Sequence, residues 1–339
     1  MGLNIAEIVP RKALDFKELK GKVIAIDAYN VIYQFLSSIR QPDGTPLQDS
    51  SKRITSHLSG LFYRNLALMQ EGLKLIYIFD GTPPDLKYST NKKRTELKDQ
   101  ASEKYLQARE DEDIESMNKY AKQTVKLTKE IVQESIELLE ALGIPCIQAP
   151  SEGEAQASYL AKIAKAYAVG SQDYDSLLFQ APRLIQNLTL ARKRKTFSGF
   201  IYISPEIIEL ENVLNTLQIN HDQLICLGIL VGTDYNPSGI KGIGQKKALD
   251  LVRKFQTPIE IFKSVENLLE KQELKFNWQE IFELFHKPNV KDFEIPGLKM
   301  DRARVKEILL KREFSEERID SALSKLEQAK KVQEQKSLF

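Results

Sequence analysis

Short apolar runs, many of them β-branched, alternate with longer helical stretches over residues 22–204. Six runs predict strands, namely KVIAIDA, LKLIYIF, IPCIQ, AYAVGS, RLIQN and FSGFIYI. Strands that alternate with helical segments are typical of α/β folds with a largely parallel sheet. We therefore predict an α/β protein with a mainly parallel central sheet flanked by helices.

Two long regions depart from this alternation. More than sixty residues separate the second and third predicted strands, rich in Lys, Arg, Glu and Gln and poor in large apolar residues until about Ile131. That is far more than an ordinary crossover needs. The interval is interpreted either as an exposed helical excursion or partly disordered loop, or as a mobile basic cover over a substrate site. After Asp234 the pattern becomes helical up to about residue 329.

The amino-acid composition limits the classes to which this protein can belong. The 339 residues are 42% hydrophobic and 28% charged, as expected for a soluble globular protein of about two domains. No apolar run approaches the roughly 18 residues that span a membrane, and the first residues lack the apolar core of a signal peptide. Two distant cysteines indicate a reducing compartment. We expect a cytoplasmic protein, or a nuclear one in a eukaryote, with no membrane partner.

Acidic residues follow the apolar runs where strands should end. Seven carboxylates share this placement: Asp27, Asp80, Glu152, Glu154, Asp173, Asp175 and Asp234. One aspartate pair after a strand is usually a solvated loop or a helix N-cap. The carboxyl ends of parallel strands share one edge of a sheet, however, so carboxylates from separate strands are expected to converge there.

Seven convergent carboxylates repel one another, which raises their pKa values or draws in a counterion. Oxygen ligands favour a hard ion such as Mg²⁺ or Mn²⁺, and the three histidines and two cysteines lack the spacing of a zinc site. Acidic sites that hold two metals are a recurrent device for phosphodiester hydrolysis. One alternative stays open for Glu154, because Ser151 and Glu154 form the S-x-x-E pattern of a helix capping box.

The distribution of charge along the sequence is more informative than the net charge. The formal net charge is only +2, but NKKR, ARKRK and GQKKA are local basic clusters. Each can be a solvated face, although three such clusters near an acidic metal edge fit a bound polyanion. Gly242 and Gly244 precede a helix that opens with Lys246 and Lys247. Such a turn is either a tight connection between helices or a seat for a phosphate or an ion.

Together these motifs resemble the flap endonucleases, the structure-specific 5′ nucleases of replication and repair. The resemblance runs from Met1 to about residue 330 and rests on MGL, AIDAYNVIYQFL, ITSHLSGLFYRN, FDGTPPDLK, APSEGEAQASYL, GSQDYDSLLF and LVGTDYN followed by IKGIGQKKAL. It implies a nuclease core at 1–235 with a helical arch inserted at about 82–132. It also implies a helical hairpin and duplex-binding region at 236–329, followed by a tail at 330–339.

The resemblance further implies roles for matching residues. Asp27, Asp80, Glu152 and Glu154 would hold one Mg²⁺, and Asp173, Asp175 and Asp234 a second, with Mn²⁺ as a substitute. Lys87 and Arg94 would steady the scissile phosphate, and Tyr33 would stack on the adjacent base. DNA contacts are implied for Gly2, Thr55, Arg64, Arg192, Lys193, Arg194, Lys195, Gly242, Gly244, Lys246 and Lys247. Gly2 would lie near the active site once Met1 is removed, and Thr55 in a pocket for a short 3′ flap.

The implied hairpin uses K⁺ to grip duplex DNA at residues 238–244, although the residues just before it are spaced differently here. The expected activity is two-metal hydrolysis at the junction of duplex DNA and a 5′ single strand, in Okazaki fragment processing and repair, with 5′–3′ exonuclease activity in addition. The alternatives are a 5′ exonuclease or repair-type junction nuclease on the same scaffold, and a catalytically silent junction binder. The seven intact carboxylates argue against the silent binder.

The end of the chain, VQEQKSLF, is the last candidate feature. Gln335 and Leu338 match the first half of a sliding-clamp-binding motif, but the sequence stops before its aromatic pair. We expect a truncated motif that binds a clamp weakly, and the alternative is a frayed polar tail.

Overall fold

The computed structural model describes residues 3–41, 43–110, 120, 124, 126–188, 193–196, 199–274 and 276–336. Within these ranges the strands are β1 (Lys12–Ala13), β2 (Val23–Asp27), β3 (Lys74–Phe79), β4 (Cys146–Gln148), β5 (Ala168–Gly170), β6 (Arg183–Gln186), β7 (Lys193–Thr196), β8 (Gly199–Tyr202) and β9 (Glu206–Glu209). Seven of them form a mixed sheet in the order β1-β9-β6-β5-β2-β3-β4, while β7 and β8 form a separate antiparallel hairpin.

The centre of the sheet is parallel, as predicted. Strands β4, β3, β2, β5 and β6 all run in the same direction, and Ile24 of β2 aligns with Leu75 on one side and Ala168 on the other. The predicted α/β fold class and the first five predicted strands are therefore confirmed.

The sixth predicted strand is placed differently. The run FSGFIYI supplies β8, which pairs with β7 rather than with the central sheet. The edge beside β6 is taken instead by β9, which pairs antiparallel with it and aligns Ile207 with Ile185. Ile207 and Ile208 are both buried there. The strand EIIE offers only these two apolar residues and so gave a weaker sequence signal than the longer apolar run before it.

Helices cover both faces of the sheet. Their bounds are α1 (Ala28–Ser38), α2 (Ser56–Gln70), α3 (Tyr88–Glu110), α4 (Lys129–Ala141), α5 (Gly153–Lys162), α6 (Asp175–Leu178), α7 (Leu210–Leu217), α8 (His221–Val231), α9 (Gln245–Lys254), α10 (Pro258–Ser264), α11 (Glu266–Lys271), α12 (Trp278–His286), α13 (Arg302–Leu310) and α14 (Glu316–Lys336). Short 3₁₀ helices span Phe16–Leu19 and Asp85–Lys87. None of the helices described is long and apolar enough to span a bilayer.

Alternate residues of each central strand face opposite cores. Ile24 and Ile26 of β2 pack with α1, α2, α4, α13 and α14 on one face. Ala25 packs with α5, α6, α8, α9 and α12 on the other. Burial on both faces explains why the central strands read as continuous apolar runs rather than as alternating ones. The sheet is thereby fixed from both sides, and its carboxyl edge is a rigid platform.

Two helices, α3 and α4, make up most of the described part of the long interval between β3 and β4. Helix α3 is polar around its circumference, and Leu97 on it is largely exposed. Lys126 Nζ lies 2.8 Å from Asp99 Oδ1 and links the helix to the segment before α4. This agrees with the interpretation of the interval as an exposed helical excursion.

Candidate active site at the carboxyl edge of the sheet

The predicted carboxylates stand where strands end and helices begin. Asp27 is the last residue of β2 and the N-cap of α1. Asp80 follows β3, and its Oδ1 accepts from the backbone N–H of Gly153 at 2.7 Å. Glu152 is the N-cap of α5, and Glu154 lies in its first turn. A carboxylate at a helix N-terminus is stabilised by the helix dipole and by unpaired N–H groups.

The remaining three carboxylates come from later parts of the chain. Asp173 lies between β5 and α6, Asp175 is the first residue of α6, and Asp234 follows α8. Asp175 is only 4% exposed, and its Oδ1 accepts from the backbone N–H of Leu3 at 3.3 Å. The N-terminal segment of the chain therefore reaches the buried side of the site.

These elements enclose one cavity of about 560 Å³. Six of the seven carboxylates line it, and the lining side chains also include Tyr29, Asn30, Tyr33, Lys87 and Lys98. Asp175 lies behind this lining, and repulsion from it acts on Glu154. The structure thus brings all seven together, along with Lys87 and Tyr33, at the sheet edge where they were expected to converge.

Lys87 is the counter-charge of this acidic cavity. Its Nζ lies 2.5 Å from Glu152 Oε2 and 3.4 Å from Asp234 Oδ2. Burial disfavours the charged amine, but attraction to Glu152, Asp234 and Asp80 outweighs it and raises the pKa of Lys87. The lysine therefore carries a full positive charge at neutral pH.

One lysine does not neutralise the cavity. Burial first, and then repulsion from Asp80 and Asp173, raises the pKa of Asp27 to about 8. Burial, together with repulsion from Asp234 and Asp173, raises the pKa of Asp175 to about 8. The pKa values of three further carboxyls are raised mainly by burial: Asp80, Glu152 and Glu154. With all seven carboxyls ionised, the site would hold more negative charge than its own residues compensate.

The alternative that Ser151 and Glu154 form a helix capping box is wrong. The helix N-cap is Glu152 rather than Ser151, and it makes no side-chain capping bond. Glu154 Oε1 accepts from the hydroxyls of Ser171, at 3.0 Å, and Ser176, at 2.9 Å. The Ser151 hydroxyl donates instead to a backbone carbonyl. The Glu154 carboxylate therefore faces the other acidic residues and not the helix backbone.

The carboxylate oxygens of the cavity are suitable ligands for divalent ions. In their present orientations, however, the side chains do not surround a common point. Among the described residues, no three Asp, Glu, His or Cys side chains are arranged to hold a metal ion. Several of the carboxylates are held by protein donors, as Asp80 is by Gly153 and Glu154 is by two serines. Clustered carboxylate oxygens with uncompensated charge are nevertheless the chemistry that Mg²⁺ and Mn²⁺ require.

Comparison with known proteins identifies the family. The XPG N-terminal domain matches residues 3–101 and the XPG I-region matches residues 143–234, so all seven carboxylates lie in matched ranges. Flap endonuclease 1 of Pyrococcus furiosus is 48% identical over 342 residues, covering 100% of this chain and 98% of that protein. The chain belongs to the flap endonuclease family.

Solved structures agree with this family. The flap endonuclease-1 of Methanococcus jannaschii matches this flap endonuclease with a TM-score of 0.75 and 40% identity, covering 97% of this chain and 98% of that one. The catalytic core of Rad2 in complex with DNA substrate has a TM-score of 0.70 at 22% identity, over 96% and 100% of the two chains, which shows the shared fold. The predicted family and nuclease class are confirmed, and divalent-metal dependence is typical of this family.

Sequence reasoning missed two polar residues of this flap endonuclease cavity. Lys98 projects from α3 into it, contacts the Tyr33 hydroxyl, and has its Nζ 4.5 Å from the centre of the Tyr33 ring. Asn30 lines the cavity from the first turn of α1. Helical spacing could have found both, because Lys98 lies about three turns after Lys87 and Asn30 lies three residues after Asp27.

None of the described residues that were predicted to contact DNA lines the cavity. Thr55 is the buried N-cap of α2, and Arg64 is a half-buried residue of the same helix. Arg94 lies on α3, Lys193, Arg194 and Lys195 lie on β7, and Gln335 lies near the end of α14, all located by their backbones alone. Gly2, Arg192 and Leu338 fall outside the described residues.

The predicted hairpin is formed by α8 and α9. Gly244 is the N-cap of α9, and Lys246 and Lys247 extend into solvent from its first turn. The turn between the helices is pinned by Asn236, whose Nδ2 donates to the Ile229 carbonyl at 2.7 Å. Gly242 has φ +88°, in the left-handed region that disfavours side chains. The amide groups of this turn are therefore held at an exposed helix N-terminus.

Proposed function

We propose that this flap endonuclease hydrolyses a DNA phosphodiester at the junction of duplex and 5′ single strand, with the acidic cavity as its active site. The observation that carries the proposal is the convergence of the predicted carboxylates around the charged Lys87. A phosphodiester is an anion, so it approaches such a cavity only if cations offset the carboxylates. The excess negative charge is consistent with two divalent ions as resident cofactors.

The seven carboxylates are the proposed ligands of two Mg²⁺ ions, with Mn²⁺ as a substitute. Bound ions would activate a water for attack and stabilise charge on the leaving 3′ oxygen. The strong repulsion of Glu154 by both Asp175 and Asp173 favours one continuous ligand group over two separate ones. Glu154 is accordingly proposed to stand between the two predicted sets.

Lys87 is proposed to hold the scissile phosphate. Its charge is secured by Glu152 and Asp234, and a fixed cation in a partly dry cavity stabilises developing charge more than one in water. Arg94 is proposed to act with Lys87. Tyr33 is proposed to stack on the base beside the cut, since base–aromatic stacking contributes about 1–3 kcal/mol per base.

Duplex DNA is proposed to bind outside the cavity. The turn at Gly242 and Gly244, with Lys246 and Lys247 beside it, offers backbone amides and cations to phosphates, and K⁺ is proposed to assist there. The contact between Leu3 and Asp175 supports a position for Gly2 near the active site. The β7–β8 hairpin with Arg192, and the residues Thr55 and Arg64 of the α2 segment, are proposed to contact the DNA backbone and a short 3′ flap.

One partner other than DNA is proposed, the sliding clamp. Gln335 and Leu338 are proposed as part of a sliding-clamp contact, for which the match is half a motif. Titrating the cognate clamp against this chain, and against one extended by an aromatic pair, tests the contact, and equal affinities would reject it. Two free cysteines, one of them buried, fit a reducing compartment such as the cytoplasm, or the nucleus in a eukaryote.

One experiment tests the activity. A 5′-end-labelled flap substrate is incubated with the protein in Mg²⁺, in Mn²⁺ and in EDTA, beside a matched duplex without a flap and the single strand alone. We expect one cut near the junction of the flap substrate, abolished by EDTA. Cleavage of the flapless duplex at the same rate would favour the exonuclease alternative, and binding without cleavage would favour a silent junction binder.

A further inference from the structure

Asn30 joins carboxylates that come from two different strands. It lies in the first turn of α1, three residues after Asp27, and lines the active-site cavity. Its backbone N–H donates to Asp27 Oδ1 at 3.1 Å, and its side-chain Nδ2 donates to Asp173 Oδ2 at 2.9 Å. One residue therefore ties the carboxylate that ends β2 to the one that follows β5.

The acceptors determine which way the Asn30 amide faces. The Asp173 Oδ2 accepts from Asn30 Nδ2, so the NH₂ group rather than the carbonyl of the amide faces Asp173. Hydrogen bonds to a charged acceptor are roughly twice as strong as neutral ones. Asp27 and Asp173 repel each other, and without a donor between them their side chains would gain by turning apart.

We infer that Asn30 is a positioning residue that sets the separation of Asp27 and Asp173 and thereby the affinity of the cavity for divalent cations before DNA binds. The inference rests on the proposed function, because it takes both carboxylates as ligands of those cations. Residues that orient metal ligands change metal affinity about 10- to 100-fold when they are removed. Asn30 has this relation to two ligands at once.

The test measures Mn²⁺ binding without DNA, by electron paramagnetic resonance, in the full chain. Asn30→Leu keeps the branched shape of the side chain and the backbone N–H to Asp27 but removes the side-chain donor to Asp173, so its Mn²⁺ affinity should fall about 10-fold or more. Asn30→His places a ring N–H near the position of the amide nitrogen and should restore affinity to within about 3-fold of the parent. Asn215→Leu makes the same chemical change at an exposed position of α7 outside the cavity and should have no effect.

Cleavage kinetics separate positioning from direct DNA contact. The rate defect of Asn30→Leu should shrink as Mn²⁺ is raised, while KM for flap DNA stays at the parent value. Parent-like Mn²⁺ binding by Asn30→Leu, or a raised KM with unchanged Mn²⁺ binding, would overturn the inference. Asn30→Ala carries the same expectation and replaces the Leu variant if that variant does not show the parent's thermal unfolding.

The result for the parent protein tells the two proposals apart. A parent that binds Mn²⁺ and cuts flap DNA, beside an unchanged Asn30→Leu, would overturn this inference alone. A parent that binds no Mn²⁺ would overturn the proposed function as well.

Discussion

His57 makes the stability of this protein depend on pH. It lies in the first turn of α2, fully buried, and its Nε2 is 3.1 Å from Glu134 Oε2. That carboxylate would favour a protonated ring, but Arg312 contacts the same carboxylate. Nδ1 of His57 is buried without a partner in the described structure, so a second ring proton would have no acceptor. We therefore take the ring as neutral.

Burial, reinforced by Arg312, lowers the pKa of His57 to about 3. In the unfolded chain its pKa is about 6.5, so between these values the unfolded state binds a proton that the folded state does not. Stability from this residue is therefore complete above about pH 6.5 and is lost as the pH falls toward the folded pKa. At about pH 5 the loss is roughly 2 kcal/mol, from about 1.36 kcal/mol per pKa unit.

Urea unfolding near neutral pH and at about pH 5 measures this loss. His57→Gln places an amide nitrogen near the position of Nε2 and does not titrate, so its drop in unfolding free energy between the two pH values should be smaller than the parent's by roughly 2 kcal/mol. His286→Gln removes a partly exposed histidine instead and serves as the matched control against which the His57→Gln result is compared. An equal drop in the parent and in His57→Gln would refute a buried neutral His57.

Three further predictions concern DNA and the site. Asp175→Ala should slow single-turnover flap cleavage at least about 100-fold while flap-DNA affinity, measured by fluorescence anisotropy, stays equal or rises, because one negative charge is removed; equal losses of binding and cleavage would mark Asp175 as structural. Lys87→Ala should reduce the same rate about 100-fold with a smaller change in affinity, and a loss confined to affinity would contradict its place at the scissile phosphate. Replacing Lys193 and Arg194 together with Ala should weaken binding of all sequences and lower the salt slope by about 2, whereas a parent-like slope would exclude both as phosphate contacts.

The local pattern of apolar residues was sufficient to predict the central strands. Ile24, Ala25 and Ile26 are all buried, and such a run reads as a strand in a sheet covered on both faces, whatever the rest of the chain does. Parallel topology then places strand ends at one edge, so Asp27 and Asp80 could be brought together from sequence alone. The remaining carboxylates were placed in the same way, by their position after apolar segments.

Pairing at the edges of the sheet could not be foreseen in this way. The run that forms β8 is apolar and strand-like, yet β9 takes the place beside β6. Both are four residues long, and the choice depends on which of them can bury side chains against the core. That competition is decided across the whole fold and leaves little trace in either segment.

The sequence by itself determined which acidic residues to expect together and at which edge of the sheet they stand, because strand periodicity and strand order act through short segments. Only the tertiary structure decided what each side chain touches. In the folded protein Glu154 accepts hydrogen bonds from Ser171 and Ser176 rather than capping a helix. It also set Lys87 between two carboxylates and Asn30 across two strands. Such contacts join residues far apart in the chain, and a difference of an ångström in packing, invisible in any local pattern, makes or breaks each of them.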